Sequence, residues 1–231
     1  MIAPVPQFTG DTGPSGGLPV SPATSLRTHD IVRIEPWQVT SEGEPIPDWV
    51  NETLLHCPFA VVRRGPAVNH RLPIGVRGAT RAQRWGGFYP AAAVRQVVRP
   101  PDLQTRAIAA ARAAAIPALC ALRQLHEQWQ DVSLPWGPGG SVGFELAAGR
   151  PVATPGSDLD LILYADVPLA REHAYRFLSE ASHLAAVTDL RVETPRSGFS
   201  LGEYVTFLER SRARLLLRTP HGVVLGADPW G

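Results

Sequence analysis

Two aspartates, Asp158 and Asp160, flank Leu159 at the head of an apolar run that continues to residue 164. In a β-strand, side chains two residues apart lie on the same face, so both carboxylates would face one way while Leu159 and Leu161 face a core. Magnesium prefers carboxylate oxygens, and two or three carboxylates on a rigid element suffice to hold it beside phosphate groups. The spacing therefore predicts a magnesium site for phosphoryl or nucleotidyl transfer, with metal held by Asp158 and Asp160.

A third carboxylate is expected from a neighbouring strand. Asp189 and Glu193 both lie in an alternating segment, which predicts a strand with the two acids and Arg191 on one face. We favour Asp189 as the third ligand and place Glu193 second. Upstream, the pair Gly140 and Ser141 follows another glycine, and such a loop offers backbone N–H groups and a hydroxyl to a terminal phosphate.

Each of these motifs has a simpler interpretation, and it is their order that favours catalysis. An Asp-x-Asp pair after a serine is common in turns, where Asp158 would cap the turn, and Gly-Ser pairs occur in many loops. A glycine-serine loop, then a strand with two aspartates on one face, then a second acidic strand, resembles the polymerase-β-like nucleotidyltransferase fold. The spacing from Ser141 to Asp158 is longer than that superfamily usually shows, so we expect an additional hairpin through residues 149–151.

The basic residues are unevenly distributed. All 22 are arginines, and no acidic residue lies between Glu52 and Asp102. The arginines in that interval are Arg63, Arg64, Arg71, Arg77, Arg81, Arg84, Arg95 and Arg99. This block predicts a positive surface for an anionic partner, although a GC-rich genome and solvated surface charges are the simpler explanations. Arg77, Arg81 and Arg84 are the best candidates for phosphate binding, because guanidinium groups pair with phosphate oxygens in bidentate geometry.

Length and composition are those of an ordinary globular protein. The chain of 231 residues is 44% hydrophobic, which suits one large domain or two small ones with real cores. It contains no apolar run of 18 residues, so no membrane span is expected. Residues 1–23 predict a disordered leader rather than a secretory signal. We expect a cytoplasmic location, with Cys57 and Cys120 as reduced thiols.

Local patterns divide the remaining chain into three parts. The arginine-rich N-terminal domain, residues 24–99, contains strand patterns at 30–34, 60–63 and 72–76, while residues 80–88 fit either a strand or a helix. A helical connection, residues 100–130, contains one helix over 102–115 and a second from Pro117 to about residue 129. A nucleotidyltransferase catalytic domain, residues 131–231, follows.

The catalytic domain begins with a glycine- and proline-rich loop at 135–140. The elements expected after it are a strand at 159–164, a helix at 169–184, a strand at 189–194, a helix from Ser200 to about residue 212 with a capping box to Glu203, and a hairpin that pairs 215–218 with 223–225. These patterns predict an α+β fold. We expect an N-terminal mixed α/β domain and a nucleotidyltransferase-type domain whose mixed sheet is flanked by helices.

Longer stretches around these motifs resemble one enzyme family. The segments that carry the resemblance are Trp-Gly-Pro-Gly-Gly-Ser-Val-Gly-Phe-Glu at 136–145, Ser-Asp-Leu-Asp-Leu at 157–161, Asp-Leu-Arg-Val-Glu-Thr-Pro at 189–195, Arg-Thr-His-Asp at 27–30, Val-Val-Arg-Arg at 61–64 and Pro-Ile-Gly-Val-Arg-Gly at 73–78. They are similar to the malonate decarboxylase holo-acyl-carrier-protein synthases, or phosphoribosyl-dephospho-CoA transferases, over about residues 24–230. Departures are modest: Gly139 and Ala148 replace threonines, and Arg191 replaces an expected glutamine, which leaves open how the second acidic strand is used.

The resemblance implies a concrete reaction. Enzymes of this family attach 2'-(5''-triphosphoribosyl)-3'-dephospho-CoA to a serine of the apo acyl carrier subunit of malonate decarboxylase, and pyrophosphate leaves. The resemblance places the family's two active-site aspartates at Asp158 and Asp160, with Mg²⁺ as cofactor. Asp189 would then hold the second metal or accept the serine proton, and Gly140 and Ser141 would bind the β- and γ-phosphates.

Two other functions stay open at this point. A different nucleotidyltransferase of the same fold, acting on a small molecule or a tRNA terminus, is disfavoured by the arginine-rich N-terminal half. A catalytically inactive module that binds the carrier protein is disfavoured by the intact aspartates. Glu145 is expected to be structural. The basic block contains no nucleic-acid-binding motif, so we expect neither a nucleic-acid nor a membrane partner.

Overall fold

A computed structural model describes residues 26–80, 82–210 and 214–231. The expected leader at 1–23 and the candidate Arg81 therefore lie outside the described residues. The described part of the chain is a mixed α+β fold with two sheets, seven α-helices and eleven strands. None of its helices is long and apolar enough to span a bilayer.

The first sheet is antiparallel, with its five strands in the order β4-β3-β2-β1-β5. The strands are β1 (Ile31–Arg33), β2 (Phe59–Val62), β3 (Arg71–Arg77), β4 (Arg84–Pro90) and β5 (Gln96–Val98). Alternate residues such as Val62, Ile74 and Val76 are buried and share a core with Val50 and Leu54 of helix α1 (Asp48–His56). The strand patterns expected in this half are confirmed.

The ambiguous segment 80–88 contains the start of strand β4. Its pairing with β3 places Arg84 opposite Arg77 and Gly86 opposite Gly75. A helix would have placed Arg84 and Trp85 on one face, whereas successive residues of a strand lie on opposite faces. The strand is stabilised by burial of Tyr89, which is fully enclosed in the same core.

The helical connection is broken where alanine propensity predicted continuity. Six residues separate helix α2 (Pro100–Leu103) from α3 (Ala110–Ala115), and α4 (Pro117–Gln128) follows. Between α2 and α3, Gln104 donates a hydrogen bond to the backbone oxygen of Trp136 at 3.2 Å. Tertiary contacts of this kind override a weak local preference, so the single helix over 102–115 is wrong while the helix from Pro117 is confirmed.

The second sheet has six strands in the order β11-β10-β9-β8-β7-β6, and within it only β7 and β8 pair in parallel. Its strands are β6 (Trp136–Pro138), β7 (Leu159–Tyr164), β8 (Thr188–Glu193), β9 (Gly198–Ser200), β10 (Leu215–Thr219) and β11 (Gly222–Gly226). The helices are α5 (Gly140–Ala148) after β6, α6 (Arg171–Ser182) between the parallel strands, and α7 (Leu201–Glu209). The strands expected at 159–164 and 189–194, the helix at 169–184 and the closing hairpin are confirmed.

Three local expectations in this half are wrong. The loop expected at 135–140 contains β6 and the start of α5. No hairpin forms at 149–151, because α5 runs to Ala148 and is terminated by Gly149, whose φ of 67° is a left-handed conformation suited to glycine. Ser200 precedes α7 without a side-chain capping hydrogen bond, so the helix is present but the capping box is not.

The two faces of the second sheet have different surroundings. Leu159, Leu161 and Leu163 on one face are buried in a core shared with α4, α6 and α7. The opposite face bears Asp160 and Tyr164, and the Tyr164 hydroxyl donates to the backbone oxygen of Thr28 at 3.2 Å, in the segment that leads into β1. Helix α5 lies on this side and packs Phe144 and Ala147 against Ile31 and Val98 of the first sheet. Asp160 therefore lies on the face that is turned towards the first sheet.

Candidate active site

Strands β7 and β8 bring two of the expected carboxylates together. Their parallel register pairs Asp160 with Asp189, so the two side chains lie on the same face of neighbouring strands. The register is held by Leu159 and Leu161, because a slip of one residue would bury the aspartates and expose the leucines. Asp158 lies just before β7 begins and is exposed.

The first turn of α5 lies directly against the carboxylate of Asp160. Gly139 donates its backbone N–H to the Asp160 backbone oxygen at 2.8 Å. The next residue, Gly140, has a φ of 54°, and a Cβ atom built there would lie 1.8 Å from Asp160 Oδ2. Only glycine leaves this space open. Ser141 follows inside the helix and is buried.

The N-terminus of α5 also supplies groups that attract anions. The first N–H groups of a helix have no partner within it and carry the positive end of the helix dipole. The N-cap residue is Gly139, which has no side chain to occupy those N–H groups. A phosphate beside Asp160 would therefore meet backbone donors from Gly140 and Ser141, and their binding of phosphate stays a prediction.

The electrostatics of the site favour a bound cation. Burial raises the pKa of Asp160, and the negative charges of Asp189 and Asp158 raise that pKa further, while Arg191 and His29 oppose the shift. A carboxylate whose ionised form is disfavoured in this way gains stability when a positive charge binds beside it. The Asp189 carboxylate accepts a hydrogen bond from the Arg191 guanidinium at 2.7 Å.

The donor set suits magnesium only in part. Among residues 26–80, 82–210 and 214–231, no group of three or more His, Cys, Asp or Glu side chains is close enough together to hold a metal. Asp158, Asp160 and Asp189 are neighbours, yet they do not form a ready-made three-carboxylate site. Magnesium needs only one or two protein carboxylates when waters and substrate phosphates complete its octahedron. The pair of Asp160 and Asp189 fits that requirement.

Glu193, the second candidate for the third carboxylate, has a different position and different partners. It lies at the far end of β8 from Asp189 and pairs with Tyr164. One oxygen of its carboxylate lies 3.0 Å from His29 Nε2, within hydrogen-bond distance, and the other accepts a hydrogen bond from the Arg64 guanidinium. Burial alone would raise the pKa of Glu193, but the hydrogen bonds and charges of His29 and Arg64 outweigh it and lower that pKa. Glu193 therefore links the two sheets.

The residues that bind Glu193 are functional candidates that the sequence did not single out. His29 has a φ of 76°, a left-handed conformation that is costly for a residue other than glycine. Its backbone N–H donates to Val62 at 2.9 Å, which helps to hold that conformation. Arg64 belongs to the acid-free arginine block, and both residues lie in segments that carry the family resemblance, at 27–30 and 61–64; neither signal indicated their contact with Glu193.

The remaining expected residues occupy separate surroundings. Arg77 and Arg84 are paired across strands β3 and β4. They lie on the same face of the first sheet as Val61, which packs in the cluster that contains residues of α5. Arg84 is exposed and Arg77 is half-buried. Their contact with a substrate stays a prediction.

Glu145 is structural, as expected. Its carboxylate receives a two-pronged hydrogen bond from Arg112, at 3.1 and 2.7 Å. The backbone N–H groups of Val152 and Ala153 both donate to it at 2.8 Å. This buried carboxylate fixes the loop that leads from α5 to Asp158.

Comparisons with known proteins agree on one family. Residues 27–100 match the family model for the phosphoribosyl-dephospho-CoA transferase MdcG N-terminal domain, and residues 102–229 match that for the MdcG C-terminal domain. The chain is 40% identical over 187 residues to a phosphoribosyl-dephospho-CoA transferase of Pseudomonas aeruginosa, covering 81% of this chain and 86% of the relative.

Relatives of the same name occur in other bacteria. The one from Pseudomonas putida is 34% identical over 206 residues, covering 88% of this chain and 95% of the relative. The one from Klebsiella pneumoniae strain 342 is 34% identical over 211 residues, covering 90% and 98%. No solved structure matches the chain.

Proposed function

The chain belongs to the phosphoribosyl-dephospho-CoA transferase family, and we propose that it attaches a phosphoribosyl-dephospho-CoA group to a carrier protein. The donor would be 2'-(5''-triphosphoribosyl)-3'-dephospho-CoA, and the acceptor a serine of the apo acyl carrier subunit of malonate decarboxylase. The observation that carries this proposal is the position of the Asp160 carboxylate, between Gly140 at the start of α5 and Asp189 on the adjacent strand.

The second sheet would be a nucleotidyltransferase-type domain. Support comes from the order of its parts: the glycine turn into α5, the aspartate strand β7, and the parallel acidic strand β8. We propose the domain limits 24–99, 100–130 and 131–231, which agree with the assignment of β1–β5 to one sheet and β6–β11 to the other.

Asp160 and Asp189 would hold magnesium, with the exposed Asp158 as a further ligand. When bound, magnesium would neutralise the triphosphate and stabilise the negative charge that develops on the departing pyrophosphate. The donor chemistry agrees, because carboxylates that raise each other's pKa are relieved by a cation. The first N–H groups of α5, at Gly140 and Ser141, would bind the β- and γ-phosphates.

The proposed step is a substitution at the α-phosphorus. The serine oxygen of the carrier forms a bond to that phosphorus, and the bond from it to the oxygen that bridges to the β-phosphate breaks. Pyrophosphate leaves with the electron pair, and a phosphodiester remains. The serine proton passes to solvent water, because one oxygen of Asp189 is bound by Arg191 and the other would hold the metal.

The arginine face of the first sheet would contribute to binding anionic partners. Arg77 and Arg84 lie side by side on it, and Arg81, which lies between them in the sequence, is outside the described residues. Guanidinium groups suit both phosphates and the carboxylates of an acidic carrier protein.

A transfer assay with matched variants tests the proposal. The protein is incubated with apo carrier subunit, triphosphoribosyl-dephospho-CoA and magnesium, and the carrier is followed by intact mass spectrometry. Asp160→Asn should lower the rate by roughly 100-fold or more, because several kcal/mol of charge stabilisation are lost. Asp131→Asn is the control, since Asp131 is an exposed partner of Arg176 away from the site.

The same assay separates the alternatives. A serine-linked mass gain that requires Asp160 supports the proposal. Undiminished transfer by Asp160→Asn would exclude the metal assignment. No mass gain with the wild-type protein, together with turnover of ATP and another acceptor, would indicate a different nucleotidyltransferase.

A further inference from the structure

A second concave site lies at the other end of β7 from Asp160. It is a cavity of about 290 Å³ lined by Arg27, Arg99, Pro101, Pro135 and Tyr164. Its walls come from the segment before β1, the start of α2, the segment before β6 and the end of β7. The described residues that line it include two arginines and no acid.

A buried carboxylate lies behind the cationic side of this cavity. Asp30 is fully buried, and its Oδ2 accepts the backbone N–H of Arg27 at 2.9 Å. Burial raises the pKa of Asp30 to about 6, and the positive charges of Arg99 and Arg27 oppose that shift. The Arg27 guanidinium lies 5.4 Å from the centre of the Tyr164 ring, and its ion pair with Asp166 is long, at 3.6 Å, and exposed.

We propose that this cavity binds the diphosphate of the dephospho-CoA part of the substrate, an inference that rests on the proposed function. The two guanidinium groups would bind the phosphate oxygens. The Tyr164 ring and the two prolines would contact the adjoining organic groups, since ligand cavities combine apolar walls with a few charged groups.

The distance along β7 agrees with one molecule that reaches both sites. Asp160 and Tyr164 lie on the same face, four residues apart, which corresponds to about 13 Å in an extended strand. The substrate carries its triphosphate and its diphosphate on two ribose units that are linked to each other, so its two anionic groups are likewise separated. A triphosphate beside Asp160 would therefore direct the diphosphate towards Arg27 and Arg99.

The concave shape of the cavity favours a small-molecule ligand over the carrier protein as its occupant. A carrier-protein surface needs a broad contact area, whereas this cavity is a small recess lined by five residues. Docking of carrier-protein carboxylates on the two arginines is the competing outcome of the test.

Binding of dephospho-CoA, which has the diphosphate and lacks the triphosphate, tests the cavity separately from catalysis. Its affinity is measured by isothermal titration calorimetry for the wild-type protein, Arg27→Gln and Arg99→Gln. Each substitution should weaken binding about 10-fold or more, because a charge-assisted hydrogen bond is lost. Arg95→Gln is the matched control: Arg95 has the same 3.6 Å ion-pair distance, to Glu35, and does not line the cavity.

Further variants keep the result interpretable. Arg99 is only part-exposed, so Arg99→Lys retains the charge and should bind more tightly than Arg99→Gln. Thermal unfolding checks that each variant is folded. If Arg99→Gln does not fold, the affinity of Arg27→Gln for dephospho-CoA decides the test, because the Arg27 side chain is 47% exposed and its replacement should leave the fold intact.

The outcomes distinguish this inference from the proposed function. Weaker binding by both glutamine variants, with Arg95→Gln unchanged, supports the cavity. Wild-type affinity in both, or no measurable binding of dephospho-CoA to the wild-type protein, overturns it, even if the carrier is modified. If Arg27→Gln and Arg99→Gln bind dephospho-CoA normally but lose affinity for the carrier subunit in the same kind of titration, the arginines belong to the protein partner and the inference is overturned. Arginine-dependent binding without any carrier modification would retain the cavity and refute the proposed function.

Discussion

Replacement of Gly140 by alanine tests how closely α5 approaches the Asp160 carboxylate. The added methyl would lie 1.8 Å from Asp160 Oδ2, so the carboxylate must move by roughly 1.5 Å before ordinary van der Waals contact is restored. The φ of 54° at this position is also left-handed, which costs an alanine about 1 kcal/mol. A displacement of about 1 Å in a catalytic arrangement lowers the rate by on the order of 100-fold.

Gly149 provides a matched control at the other end of the same helix. Its φ is 67°, yet a Cβ atom there would meet nothing within 4 Å, so Gly149→Ala carries the backbone cost alone. Urea unfolding should show a loss of about 1 kcal/mol for Gly149→Ala and a larger loss for Gly140→Ala, which adds the contact with Asp160. The carrier-modification rate should fall about 100-fold for Gly140→Ala only. A Gly140→Ala protein with the wild-type rate would refute the role assigned to this contact.

Three further predictions concern the link between the sheets, the core and the metal. Glu193→Gln should lower the free energy of unfolding at pH 7 by about 3 kcal/mol, measured with urea, because it leaves His29 and Arg64 without their buried partner. The pKa of Glu193 is lowered on folding, so the ionised carboxylate stabilises the fold fully at a pH above its unfolded-state pKa. The stability difference between wild type and Glu193→Gln should therefore shrink as the pH falls through the folded-state pKa of Glu193. Leu161→Ala should cost about 3 kcal/mol in the same assay, since Leu161 is fully buried. Magnesium affinity, measured by calorimetry, should rise with pH through the raised pKa of Asp160.

Each of these predictions has a clear contrary result. Equal stability of Glu193→Gln and wild type across the pH range would mean that the ion pairs contribute nothing. A small loss for Leu161→Ala would contradict its place in the core. Magnesium binding that does not depend on pH, or that is unchanged in Asp160→Asn, would exclude Asp160 as a ligand.

The carboxylate pair could be anticipated because its signal is local. Alternation in β7 and β8 determines which face each side chain occupies, and parallel neighbours then bring Asp160 beside Asp189. Spacing alone could not show that β7 begins at Leu159, which leaves Asp158 before the strand and exposed. The arrangement is therefore a close pair with a third acid nearby.

The contacts that the sequence could not predict join residues far apart in the chain. Glu193 meets His29 across 164 positions and Arg64 across 129, and no periodic pattern records such a pairing. Its even spacing from Asp189 suggested a shared site, yet each two-residue step along a strand moves a side chain by about 6.6 Å. Spacing gives the face, whereas only the packing of the two sheets gives the partner.

Short elements were also beyond the reach of sequence patterns. Strands β6 and β9 have three residues each and contain glycine or proline, which sequence patterns assign to loops. At the break between α2 and α3, Gln104 donates a hydrogen bond to Trp136, a long-range contact that alanine content does not show. In each case tertiary contacts decide between local preferences that differ by less than about 1 kcal/mol per residue.

The most direct test of the central claim is the stoichiometry of the two products in one reaction. The wild-type protein, apo carrier subunit, triphosphoribosyl-dephospho-CoA and magnesium are combined, and pyrophosphate is measured enzymatically while the carrier is followed by intact mass spectrometry. Substitution at the α-phosphorus by the carrier serine predicts one pyrophosphate for each carrier that gains the phosphoribosyl-dephospho-CoA mass. Release of inorganic phosphate instead, or pyrophosphate formed without modified carrier, would contradict the account.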